Sequence, residues 1–322
     1  MKTIPPAGFP YKWCSNSGED EFGIWLEISV RGIIQRMRWM NPGRFLMGSP
    51  HDEIHRHHSE SQHEVTLSKG FWIADTTCSQ ELWLAVMETN PSKDSDVHKP
   101  VEKISWIDCD LFLQKMKVIS EIAFSFPTEA QWEYACRAGT TEPFSFGMNI
   151  TPEQVNYDAN YPYLGEIKGI NRGKTVRIKS LSPNKWGLYE MHGNVWEWCN
   201  DWYGKYEHTS VVDPTGPTEG KYRVLRGGSA FSGAPDCRSA ARSQCHFDGC
   251  YDRNGFRFVW NPWQFEKKEM KLEEDELDDD NDKEIKVRKK KEKVNIPKKK
   301  ESVANAKTIQ TNATKKLKKK KR

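Results

Sequence analysis

The chain has 322 residues, 36% of them hydrophobic and 11% aromatic, with 49 Lys+Arg against 45 Asp+Glu for a net charge of +4. No apolar run approaches the roughly 18–20 residues that span a bilayer, and no apolar stretch follows Lys2 as a secretory signal requires, so no membrane association or export is expected. The charge is uneven: residues 1–265 carry −4, residues 266–282 carry −7, residues 283–322 carry +15, and no aromatic follows Phe265, so an acidic globule is expected ahead of a disordered, acidic-then-basic tail over 263–322. Eight scattered cysteines read as reduced thiols in the cytoplasm rather than as a disulfide framework.

In chain order, residues 1–29 are punctuated by Pro5, Pro6, Gly8, Pro10 and Gly18 and read as irregular. Residues 33–39 alternate, with Ile33, Met37 and Trp39 on one side and Arg36 and Arg38 on the other, which predicts a strand. The turn Asn41-Pro42-Gly43 and residues 44–47 suggest that this strand forms a hairpin with the next. Residues 63–67 and 71–74 suggest a further strand pair. Three helices are then predicted from their starts, at Thr77-Cys78-Ser79-Gln80, at Ser105 with Asp108 and at Thr128 with Gln131, each a hydroxyl three residues ahead of a polar side chain. The third stops at Gly139. Beyond it the chain is rich in Gly, Asn, Asp, Pro and aromatics, with short strands predicted at 222–225, 237–242 and 256–259. Residues 30–262 therefore form one α+β domain with little regular structure and long ordered loops.

Several motifs recur in a recognisable order. They are Pro42-Gly43-Arg44-Phe45-Leu46-Met47-Gly48-Ser49, Pro127-Thr128-Glu129-Ala130-Gln131-Trp132, Gly187-Leu188-Tyr189-Glu190-Met191-His192-Gly193-Asn194-Val195-Trp196-Glu197-Trp198, Arg226-Gly227-Gly228-Ser229 and Gly255-Phe256-Arg257. Together they resemble the formylglycine-generating-enzyme/sulfatase-modifying-factor family over about residues 30–260. The resemblance implies a C-type-lectin-like irregular α+β domain with bound calcium. It also implies one of several roles: a copper oxidase that converts a substrate cysteine to formylglycine, an iron-dependent sulfur–carbon ligase, or a binding protein, including variable proteins diversified by retroelements. Fold alone does not choose among them.

Copper-oxidase chemistry needs two thiolates on one soft ion. The resemblance places these three and eight residues after Ser229, at Ser232 and Cys237, so one thiol is missing by this count; counted back from Ala240-Ala241-Arg242, Cys237 falls out of step. Ser229 matches a residue that assists the oxidase site, and is also a simple turn residue. Cys245 and Cys250 follow Cys237 at a spacing that is not a standard zinc pattern. The iron-dependent role needs an extra helical domain that the chain lacks. His51, His55, His57, His58 and His63 read as a solvated loop rather than a metal site.

For calcium, the resemblance implies the side chains of Glu190 and Glu197, the carbonyls of Gly193 and Val195, and a second partial site at Asn156. Oxygen ligands of this kind suit a hard cation; alternatively, these side chains satisfy loop amides. Residues 230–236 and 244–254 are flanked by framework motifs, and a ligand, a protein or another molecule, is expected there. Phe231, Phe247 and Tyr251 would anchor it, and Ser232, Asp236, His246, Asp248 and Asp252 would supply polar contacts; alternatively, these are ordinary solvated loops. The basic part of the tail, 283–322, lacks interleaved aromatics, so any polyanion contact would be to phosphates and nonspecific, or the tail would serve solubility alone. The reading that results is a calcium-stabilised binding module, with formylglycine-generating oxidation as the alternative.

Overall fold

The structure, a computed structural model, describes residues 6–165 and 169–263; the predicted tail lies outside them. It begins earlier than predicted. Within residues 1–29, expected to be irregular, lie strands β1 (Asn16–Asp20) and most of β2 (Gly23–Val30), paired antiparallel around Glu21 and Phe22. The alternation of Ile24, Leu26, Ile28 and Val30, all buried, is a period-two signal that the surrounding prolines and glycines mask. Ahead of these strands, Tyr11 and Trp13 stack on each other at 5.2 Å and both meet Trp260 edge-on. The N-terminal segment is thus part of the domain.

β3 (Ile33–Met40) and β4 (Gly43–Met47) do not form the expected hairpin. β3 lies between β2 and β6 (Phe71–Ala74), whereas β4 pairs with β5 (His63–Leu67). The expected β5–β6 pairing fails for the same reason. Asn41-Pro42 is a corner between sheets, with Met40 opposite Phe71 and Gly43 opposite Leu67. Arg38, expected outside, is buried and ion-paired with Asp20 at 2.6 Å.

The helices form where their caps predict. Ser105 and Thr128 make reciprocal capping boxes with Asp108 and Gln131 at the starts of α2 (Trp106–Ser120) and α3 (Glu129–Arg137). α1 (Gln80–Met87) is capped by Ser79, which accepts from the Leu82 amide, so Thr77 is not its cap. α3 ends on Ala138 and Gly139, both left-handed.

The remaining strands are β7 (Trp196–Trp202), β8 (Val211–Val212), β9 (Tyr222–Arg226), β10 (Arg242–His246), β11 (Asn254–Gly255) and β12 (Val259–Trp260). Three sheets result, ordered β1-β2-β3-β6-β12, β10-β9-β7-β11 and β4-β5-β8. The strand predicted at 237–242 is displaced: Ala234–Cys237 is a 3₁₀ turn with Pro235 in its first turn, and pairing starts only at Arg242. Of the strand predicted at 256–259 only Val259 lies in a strand; residues 256–258 connect β11 to β12, which join different sheets.

α1 and α2 pack Trp83 and Phe112 in parallel stack at 5.2 Å, over Phe256 and Phe258. Each such buried aromatic contributes roughly 1.5–3 kcal/mol. A second cluster forms around α3, Trp132 and Val224, and a third around Phe144, Tyr157, Tyr163 and Cys237.

Residues 49–62, read from sequence as a solvated loop, are held from inside. Arg238 is buried and donates to Glu60 at 2.8 Å from both terminal nitrogens, to Glu53 at 2.5 Å and to the His55 carbonyl at 2.9 Å. The His55 ring meets the Tyr163 carbonyl at 3.0 Å, and His63 is buried. His51, His55, His57 and His58 are exposed, as read from the sequence, and His63 is the buried exception. Arg238→Ala strands two buried carboxylates, and the expected loss is roughly 3–5 kcal/mol in denaturant unfolding. Limited proteolysis should move to residues 49–62; wild-type stability and protection there would contradict this account of the loop.

Candidate functional site

The Arg226-Gly227-Gly228-Ser229 turn ends β9 in the middle of the domain. Gly227 and Gly228 are both left-handed, and a Cβ on Gly228 would lie 2.5 Å from Cys237 Sγ. Cys237 thus sits beside the Gly-Gly-Ser turn. Ser229 Oγ and Ser232 Oγ are 3.1 Å apart, and the Ser229 amide donates to Ser232 Oγ at 3.2 Å. Ser229, Ser232 and Cys237 are all buried, and burial pushes the Cys237 thiol well up. The turn thus brings together one thiol and two hydroxyls. Cys245 is buried on β10 and Cys250 is exposed, so neither completes a pair here.

Next to Cys237 lies His192, a residue the sequence reading passed over. Its Nδ1 is 2.7 Å from the Cys237 carbonyl and its Nε2 is 3.1 Å from the Ser145 amide nitrogen. A carbonyl only accepts and an amide only donates, so Nδ1 carries the proton and Nε2 is the acceptor. Burial brings the His192 pKa down to about 4. Cys136 Sγ is 3.7 Å from the ring, but burial raises that thiol to about 12. Both ring nitrogens are committed and the thiol is protonated, so this pair is a packing unit and not a nucleophile with its base.

The calcium candidates are placed differently from one another. Glu197 is buried in a two-pronged ion pair, its oxygens taking Arg257 Nε at 2.6 Å, Arg257 Nη2 at 2.7 Å and Trp132 Nε1 at 2.8 Å. A guanidinium already balances its charge. Glu190 has one oxygen on the Lys179 amide at 3.2 Å and the other, Oε1, without a partner; burial pushes its carboxyl up to about 7. Asn156 donates to Asn194 and to the Lys174 carbonyl, leaving its own oxygen unpartnered. The Gly193 amide donates to the Gly227 carbonyl, and Gly193 bridges Asn156. Val195 is a buried part of the chain entering β7. With Glu197 committed to Arg257, these residues do not fit one calcium shell. Among the described residues, no group of three or more His, Cys, Asp or Glu could hold a metal ion.

The expected ligand loops are anchored but lie along different stretches of one ladder. Residues 230–236 leave from the Arg226 end of β9, where Ser232 accepts from the Asp158 amide and the Ala234 amide donates to the Tyr161 carbonyl. β10 runs the other way, so His246 pairs opposite Tyr222, about 13 Å along the strand from Arg226. There His246 pairs with Asp248, and Phe247 meets Trp202 edge-on. The loop then returns, with Tyr251 accepting from the Lys103 amide and Asp252 3.2 Å from Lys93, to put Asn254 beside Trp196. Ala230 donates to Asn194, two residues before Trp196. Phe231 and Tyr251 are 44% and 53% exposed, whereas Ser232 is buried; Asp236, His246 and Asp248 are exposed, and Phe247 and Asp252 are half-buried.

Residues 29–262 match the family described as the sulfatase-modifying factor enzyme 1-like domain. The chain is 36% identical over 168 residues to the formylglycine-generating enzyme of Streptomyces coelicolor, covering 49% of this chain and 51% of the relative. It is 34% identical over 193 residues to the mouse (Mus musculus) enzyme of that name, covering 54% and 50% respectively. The chain therefore spans about half the length of these curated relatives. Among solved structures, Treponema denticola variable protein 1 superposes with a TM-score of 0.64 at 26% identity, covering 74% of this chain and 99% of that one.

Two outcomes test the site's electrostatics. Unfolded His192 takes up a proton near the ordinary imidazole value of 6.5, whereas the folded residue resists to about 4. Its contribution to stability is therefore complete above about 6.5 and lost as pH falls toward 4, and urea midpoints across that range should drop less in His192→Gln than in wild type. Glu197→Ala, by isolating Arg257, is expected to cost roughly 3–5 kcal/mol. Millimolar calcium should leave the wild-type Tm unchanged; a saturable rise would show that the Glu190–Glu197 segment takes the ion after all.

Proposed function

This chain belongs to the sulfatase-modifying-factor family, and from that starting point we propose that it is a ligand-binding member of the family and not a copper oxidase. The observation that carries the reading is the Gly-Gly-Ser turn. Where a copper pair needs two thiols, Ser232 stands beside Ser229, and Cys237 is sealed against Gly228 with its thiol held protonated by burial. A hydroxyl and a closed thiol give Cu(I) one soft donor at most.

Binding would use the two loop segments. Phe231 and Tyr251 supply exposed aromatic surface, and Asp236, His246 and Asp248 supply polar groups on loops whose backbones are anchored at each flank. Rigid anchoring lowers the ordering cost of association, which favours a protein or other macromolecular partner over the segments. The likeness to a protein named a variable protein supports the same reading, and it extends to copies of the chain that differ at 230–236 and 244–254. An imperfect repeat of the codons for 226–257 near a reverse-transcriptase gene would support that extension.

The discriminating experiment titrates Cu(I) into reduced protein and incubates it with a cysteine-containing sulfatase peptide. The expected result is no stoichiometric copper site and no formylglycine by mass spectrometry. Stoichiometric binding abolished by Cys237→Ser, together with peptide oxidation, would replace this reading with the oxidase.

A further inference from the structure

A cavity of about 540 Å³ lies between the end of β7, the start of α3 and the segment 203–217, and none of residues 227–229 lines it. Nothing in the proposed function uses it. Apolar walls come from Met47, Val211 and Pro217, and Trp202 also lines it. Deep in it, Glu129 is fully engaged, taking Arg242 at 2.6 and 2.8 Å and the Tyr206 hydroxyl at 2.9 Å. Glu129 and Arg242 thus cancel each other's charge.

Two buried lining side chains keep an atom in hand. Asp201 uses Oδ2 to accept the Glu129 amide at 3.0 Å, and its Oδ1 takes no hydrogen bond from any described residue. His63 meets the Ser61 carbonyl through Nδ1 at 3.0 Å, which makes Nδ1 the donor and leaves Nε2 a bare acceptor. Burial, then the neighbouring charge of Glu129, pushes the Asp201 carboxyl up to about 8, while Arg242 and Arg223 pull the other way. At neutral pH the acid is protonated and offers a hydrogen bond. The buried part of the cavity thus presents one donor, one acceptor and apolar walls, with the exposed Lys205, Glu207 and Thr215 also on its lining.

We infer that this cavity is a second binding site, for a neutral hydroxyl-bearing ring compound of up to disaccharide size. An anion would meet Glu129 and the acceptor His63 with only the exposed Lys205 as a free cation, and a cation would meet the paired Arg242 with only the exposed Glu207 as a free anion. A hydroxyl both accepts and donates, and so matches Asp201 and His63 together. The size fits pockets for small molecules, which run to roughly 300–1,000 Å³.

Saturation-transfer NMR on the full chain tests it, with sucrose, maltose and inosine as neutral probes and glucose 6-phosphate and spermidine as charged ones. At least one neutral probe should bind, and the charged probes should bind at least about tenfold more weakly. Asp201→Asn, which keeps a donor, should retain binding and remove its fall above pH 8; Asp201→Leu should lower affinity about tenfold or more. Val212→Trp, at an exposed rim position, should block binding while leaving the thermal unfolding of the domain intact. Phe231→Ala and Tyr251→Ala should leave it unchanged, which separates this site from the loop reading. No neutral binding at about 10 mM, binding that survives Val212→Trp, or preference for a charged probe would each overturn the assignment. The sugar and nucleoside arms decide which hydroxylated ring is taken.

Discussion

Arg226 is the interaction on which the irregular half of the domain depends. It is fully buried at the end of β9, and its guanidinium donates to the carbonyls of Ser239, Ala240 and Ala241 while pairing with Glu133. Those three carbonyls belong to a stretch between a 3₁₀ turn and a strand, which has no ladder to satisfy them. A planar fork of five donors does what a neighbouring strand would otherwise do. Glu133 in turn accepts from Arg137 and from the Gly48 amide, so one buried charge pair reaches α3, the 48–62 loop and the turn at Gly227 together. Arg238 with Glu53 and Glu60, and Arg257 with Glu197, repeat the device elsewhere. Removing one partner would leave the other buried and uncompensated, so the loops are held against large penalties although few of their residues are in strands.

What could be read from the sequence follows from how local each cause is. Helix starts were legible because a cap is decided within four residues, as at Ser105 with Asp108 and Thr128 with Gln131. Strand partners were not, because β6 pairs with β3 on one side and with β12, nearly two hundred residues later, on the other. The turn at Asn41-Pro42-Gly43 looked like a hairpin and is a corner. Arg38 read as outward-facing because its acidic partner is 18 residues away, and nothing local marked Arg226, Arg238 and Arg257 as buried, their partners being 93, 178 and 60 residues away. Glu197 read as an oxygen donor for an ion for the same reason: the cation that satisfies it is a side chain from a distant strand end.

The same burial that organises the loops silences the chemistry that the residue types suggest. Cys136, Cys237 and His192 are close together, yet the thiols are protonated and the imidazole is neutral with both nitrogens in use. Cys237 and His192 pack with the cluster of Phe144, Tyr157 and Tyr163 beside the Gly-Gly-Ser turn, and Cys136 packs with the neighbouring cluster around Trp132. Glu190 Oε1 and Asn156 Oδ1 are among the buried polar atoms that this packing leaves without a hydrogen-bond partner.

The sheet β1-β2-β3-β6-β12 joins the beginning of the domain to its end, and Trp260 completes the aromatic group begun by Tyr11 and Trp13. A ribosome makes these partners far apart in time. Until residues 259 and 260 have emerged, β6 has an open edge and the first aromatics have no lid, so the nascent chain carries exposed apolar surface through almost the whole of its synthesis. Closure of so long a loop late in the process makes folding slow relative to helical domains of similar size. Chaperone occupancy during translation, and the fate of chains released before residue 260, are therefore set by a two-residue strand.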